Sequence, residues 1–309
     1  MRTATIAAVL SLAFLTGCVT SKSSQKLDDL VPKMVPPEKV AHYARDVVWA
    51  SPDGRNLLLD ASWPEGEGPF PVLVWFHGGS WEFFSKEANE GLARYITNRG
   101  YVVFNVNFRM APEVTLKPIV EDALGAVIWA KDHAREYNGD PVRVAVAGHS
   151  SGGHLCAMVT VACGDPFFTP TYSSPAGATC QVQASVPVSG VYDFFAEAKH
   201  NPKGCNRLVG ASPADDPELY RKLSPVSYVR AGLPPTLVVY AEKEDLRPVN
   251  EQWAQLLAQA GDPVESYMQP GENHLWPTWH WKKSAKQTYD RMAKFLDDQL
   301  KNTNRIKPQ

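Results

Sequence analysis

The chain has 309 residues, 44% of them hydrophobic and 21% charged, and its 31 basic and 33 acidic side chains leave a formal charge of −2. That composition excludes a disordered or fibrous chain, and without a long run of one sign nucleic-acid binding has no electrostatic support. One large α/β domain or two modest ones would bury a core at this length without help from disulfides.

The chain opens with Arg2 ahead of an uncharged apolar stretch, Ala4 to Leu15. The stretch is too short to span a bilayer and reads as the core of a signal peptide over residues 1–17. Leu15-Thr16-Gly17-Cys18 resembles the bacterial lipobox, which implies cleavage before Cys18 and lipidation of that cysteine. Residues 18–40, rich in Ser, Lys, Asp and Pro, are then a lipid anchor and tether. The expected location is the bacterial cell envelope, on the periplasmic side or the outer membrane, and Val19 after the lipidated cysteine leans toward the outer membrane. An oxidising compartment permits disulfides among Cys156, Cys163, Cys180 and Cys205. Cys163 and Cys180 flank a Pro- and Gly-rich loop, and either their pairing or small buried thiols fits. No Cys/His spacing suits a zinc site.

The body, 41–303, alternates β-rich runs with stretches of helical period, ahead of a short tail at 304–309. The runs are Asp46 to Ala50, Asn56 to Trp63, Pro71 to Phe76, Tyr101 to Asn107, Val142 to Ala147, Val182 to Val188, Thr236 to Tyr240 and Val264 to Met268. Several are apolar throughout, which indicates strands covered on both faces and hence a parallel sheet flanked by helices. Helical stripes run through Leu116, Ile119, Val120, Ala123, Leu124, Val127 and Ile128, through Trp253, Leu256 and Leu257, and through Ala285, Tyr289, Met292, Leu296 and Leu300. With no internal repeat and no interior linker, the expectation is one doubly wound α/β domain.

Two loops carry chemistry. Gly148-His149-Ser150-Ser151-Gly152 is a G-x-S-x-G directly after the fifth run and before an apolar helical stretch. Small residues on both sides let a tight turn lift the Ser150 hydroxyl clear of the sheet, so Ser150 is the candidate nucleophile. The helix beginning at Ser151 offers an N–H and a positive dipole end to an oxyanion. His77-Gly78-Gly79-Ser80-Trp81 follows the third run, and its consecutive glycines allow the Gly78 and Gly79 N–H groups to complete that hole, with His77 a structural residue. A serine needs a base, and the base needs a carboxylate. Of the eight histidines, His274, in a loop after the last strand, is the best base, with His280 the competitor. The acid should follow the strand ending at Tyr240, where Glu242, Glu244 and Asp245 all lie.

These motifs resemble those of the α/β-hydrolase esterases, most closely the branch holding bifunctional deacetylase/feruloyl esterases and kynurenine formamidases. Asn107-Phe108-Arg109-Met110-Ala111-Pro112-Glu113, Gly148 to Leu155 and Ser189-Gly190-Val191-Tyr192-Asp193 carry the likeness, which spans about residue 45 to 300. It implies an α/β-hydrolase fold: a mostly parallel sheet of about eight strands, helices on both faces and a small cap at most. It also implies a serine carboxylesterase for small esters of short-acyl or aryl type, using no cofactor and no metal. Relatives usually carry Asp two residues before a Leu-Arg or Leu-Val pair. Here Leu246-Arg247 puts Glu244 in that register, while a one-residue shift would present Asp245. Trp81 and Trp276 adjoin the site in sequence and are expected to shape a substrate mouth. The alternatives are an arylformamidase, which an envelope location disfavours, and a catalytically silent lipid-anchored binding protein.

Overall fold

The computed structural model describes residues 36–302. The expected signal peptide, Cys18, most of the tether and the tail at 304–309 lie outside the described residues. The strands are β1 (His42–Ala50), β2 (Leu57–Trp63), β3 (Phe70–Phe76), β4 (Val102–Val106), β5 (Gly139–His149), β6 (Ala184–Val188), β7 (Thr236–Ala241) and β8 (Val264–Gln269). They form one sheet in the order β1-β2-β4-β3-β5-β6-β7-β8. β2 pairs antiparallel with both β1 and β4, and every other pairing is parallel.

The helices are α1 (Glu90–Thr97), α2 (Leu116–His133), α3 (Ser151–Ala162), α4 (Phe194–His200), α5 (Pro202–Val209), α6 (Pro217–Lys222), α7 (Arg247–Gln259) and α8 (Lys283–Leu300). They explain why central strands such as β3 are apolar along their whole length. In β3 the side chains of Val72, Val74 and Phe76 enter a cluster with Ile119 and Val120 of α2, Leu155 and Met158 of α3, and Trp253 of α7. Leu73 and Trp75, pointing to the other face, meet Leu92 and Ile96 of α1 and Tyr289, Met292 and Leu296 of α8. Period-two alternation thus feeds two cores at once, and β3 shows no polar side. Within the described residues the expected doubly wound α/β fold is the fold observed.

Cys163, at the end of α3, is bonded to Cys180, so the disulfide is the member of the two cysteine alternatives that forms. Cys156 and Cys205 are buried thiols. Among the described residues no helix is long and apolar enough to cross a membrane. The loops after β3, β5, β7 and β8 leave the carboxyl ends of parallel strands and so gather along one edge of the sheet.

Candidate active site

Ser150 is the single residue between β5 and α3, and its backbone is strained at φ 57° and ψ −116°. The turn is closed on both sides by glycines that admit no side chain. A Cβ on Gly148 would lie 2.3 Å from the Gly152 carbonyl oxygen, and one on Gly152 would lie 2.1 Å from that of Phe76. The Ser150 N–H donates to the Val188 carbonyl at 2.9 Å, and its own carbonyl accepts the His154 N–H at 3.0 Å. With the backbone held at both ends, the half-buried side chain is left to face its partner.

That partner is His274, in the loop after β8, whose Nε2 lies 2.9 Å from Ser150 Oγ. Nδ1 of the same ring is 2.8 Å from Glu244 Oε2 in the loop after β7. A carboxylate only accepts, so Nδ1 carries the proton and Nε2 presents a lone pair to the hydroxyl. The Glu244 side chain is 0% exposed, whereas Asp245 points into solvent. The register expectation for Glu244 matches the placement, and the Asp245 alternative is corrected: the turn at Ala241–Glu244 folds the longer carboxylate inward. His280 does not reach the serine; it packs against α1, where a Cβ on Gly91 would lie 2.2 Å from its Cγ.

His149, whose sequence context places it in the elbow, also contacts His274. Its Nε2 donates to the His274 carbonyl at 2.8 Å, and the two rings sit 4.8 Å apart. Burial, with the neighbouring His274 adding to it, pushes the His149 imidazole down to about 3, so it stays neutral beside any positive charge on His274.

The Gly78-Gly79 loop lies against the elbow: a Cβ on Gly78 would be 3.2 Å from that of Ser150. His77 donates from Nδ1 to the Gly78 carbonyl at 2.7 Å and stacks on Phe108 with centroids 4.4 Å apart. Burial lowers its imidazole to about 4, so it is a neutral strut, as expected. Pinning the Gly78 carbonyl turns the Gly79 N–H of the same trans peptide the opposite way. Gly79, at φ 122°, accepts the Glu82 and Phe83 N–H groups in a turn too tight for any side chain. Ser151, buried, opens α3 beside this loop.

The two tryptophans expected at a substrate mouth are corrected. Trp276 is 0% exposed; a short 3-10 turn, Trp276–Thr278, swings it inward, where its indole N–H donates to Thr288 at 2.9 Å. Trp81 is 7% exposed and donates to His154 Nδ1 at 3.3 Å, packing beneath the loop instead of lining a mouth. Among the described residues no group of three or more His, Cys, Asp or Glu side chains is arranged to hold a metal ion.

Comparison with known proteins fits this arrangement. Esterase LipQ of Mycobacterium tuberculosis is 29% identical over 250 residues, which is 77% of this chain and 58% of LipQ. The probable carboxylic ester hydrolase LipM of the same organism is 32% identical over 210 residues, 66% of this chain and 46% of LipM. The chain therefore spans about half the length of these curated relatives. Among solved structures, that of an arylesterase superposes with a TM-score of 0.74 at 24% identity, covering 96% of this chain and 98% of the other, which shows the shared α/β-hydrolase fold. The BD-FAE family model matches residues 59–260, a segment that includes both the glycine loop and the serine elbow, and the chain belongs to that family.

Proposed function

We propose that the protein is a serine carboxylesterase acting through an acyl-enzyme on esters of small acids. The observation that carries this reading is the unbroken chain from Ser150 Oγ to His274 Nε2 at 2.9 Å and from His274 Nδ1 to Glu244 at 2.8 Å. In this reading Ser150 Oγ attacks the ester carbonyl while His274 Nε2 takes its proton, and Glu244 stabilises the imidazolium. The N–H groups of Gly78, Gly79 and Ser151 receive the oxyanion, each donor contributing on the order of a hundredfold in rate. His274 then protonates the departing alcohol, and a water deprotonated by His274 releases the acid and frees Ser150.

The test is Ser150→Ala, assayed against acetyl and butyryl nitrophenyl esters, feruloyl esters, acetylated sugars and aryl formamides, with fluorophosphonate labelling alongside. The expected result is loss of labelling and a fall in ester turnover of roughly a millionfold, with the melting temperature unchanged. Near-normal turnover by the variant would move the nucleophile elsewhere, Ser151 first. A wild-type protein that neither labels nor hydrolyses any of these would make it a binding protein, and one cleaving formamides alone would make it a formamidase.

A further inference from the structure

The sheet order places β6 between β5, which delivers Ser150, and β7, which delivers Glu244. The residue at its carboxyl end has no part in the chemistry above. Ser189 is 0% exposed and holds a left-handed backbone at φ 49°. Its N–H donates to the Val239 carbonyl of β7 at 2.8 Å, and its hydroxyl donates to Glu244 Oε1 at 2.8 Å. The Ala241 N–H reaches the same oxygen at 2.9 Å. Glu244 Oε2 is thereby left to His274 Nδ1.

The next residue is clamped as firmly. The Gly190 N–H donates to Asn250 Oδ1 at 3.1 Å, and the Asn250 amide donates back to the Gly190 carbonyl at 3.3 Å and to the Leu246 carbonyl at 2.9 Å. Asn250, buried on α7, therefore ties the loop of Ser189 to the loop of Glu244. A glutamate carries one more torsion than an aspartate, and each unfixed torsion spreads the carboxylate over several staggered positions. Two donors from different strands, meeting on one oxygen, remove that freedom. The backbone at this position would favour glycine, so the serine side chain is carried against local preference.

We propose that Ser189 is a positioning residue that fixes the Glu244 carboxylate against His274. The assignment rests on reading Ser150, His274 and Glu244 as the reacting and supporting groups of an esterase. The test compares the full chain with Ser189→Ala, Ser189→Gly, Glu244→Gln and the Ser189→Ala/Glu244→Gln double variant on a short-acyl nitrophenyl ester. Both single changes at Ser189 are expected to lower kcat about tenfold to a hundredfold with KM unchanged. Glycine relieves the backbone and keeps the comparison open should the alanine variant fold poorly. The double variant is expected to lose no more than Glu244→Gln alone, because the hydroxyl acts only through that carboxylate. A loss in Glu244→Gln with wild-type kcat in Ser189→Gly overturns this inference alone, as does an additional full loss in the double variant. Wild-type kcat in Glu244→Gln overturns the triad reading and this inference with it.

Discussion

Glu244 and Asp245 are adjacent in sequence and opposite in environment, one sealed against His274 and the other in solvent. A triad acid must hold the tautomer of its base, and only the sealed carboxylate touches that base. Glu244→Gln should therefore lower kcat on the order of a thousandfold or more, while Asp245→Asn stays close to wild type. Assaying the two side by side decides it: a loss confined to Asp245→Asn would sink the assignment. Ser150 and His274 were legible because each sits in a local pattern, a small-residue turn after a strand and a histidine loop before the last helix. The burial of Trp276 is not legible, because nearness along the chain does not fix which way a side chain faces, and one 3-10 turn carries it inward. Ser189 stands in the sequence only as part of a family-like loop, because its partner is 55 residues away and no local spacing reports such a contact.

Eight β-rich runs correspond to eight strands, and the signal is plainest in central strands such as β3, β4 and β7, where burial on both faces needs no partner to be read. β1 starts at His42 and not Asp46, because its pairing slips between Ala44 and Val47 and its outer residues face water, which breaks the alternation. α1 was not anticipated, although Leu92, Tyr95 and Ile96 mark its buried stripe. Nor were α4, α5 and α6, which are short; their starts are capped by Asp193, Asn201 and Asp216, each accepting backbone N–H groups, and the last two precede a proline. These three helices and a 3-10 turn, Pro225–Tyr228, are the helical elements between β6 and β7 among the described residues. They lie over the glycine loop and the elbow helix, with Phe194 of α4 5.1 Å from the His154 ring and Arg207 Nε of α5 3.2 Å from Glu82. So short a cap is expected to offer a long acyl chain little apolar surface. Acetyl or butyryl esters should accordingly give a kcat/KM at least about tenfold above that of a dodecanoyl ester, since each unburied methylene forgoes about 0.8 kcal/mol. Faster turnover of the dodecanoyl ester would refute the small-cap argument.

For the molecule as a whole, three buried histidines are expected to lower stability on acidification. Burial holds the imidazoles of His77 and His154 at about 4 and that of His149 at about 3, against an ordinary value of 6.5. The unfolded chain binds these protons more readily than the folded one. Their contribution is therefore complete above the unfolded value and is lost as pH falls from about 6.5 toward the folded values. Between pH 7 and pH 5 each histidine should remove on the order of 2 kcal/mol. Denaturant unfolding at pH 7, 6 and 5 measures this, and a flat free energy across that range would contradict it. At this scale the sequence had already indicated a single doubly wound domain, because strands and helices alternate without a break in composition.

The Ser150 to His274 contact joins residues 124 apart, and the base arrives only with the loop beyond β8. Synthesis from the amino terminus produces the serine elbow first, and the imidazole that faces it follows 124 residues later. On the proposed mechanism, a nascent or truncated form that stops short of His274 can pair its central strands and still lack the group that would activate Ser150.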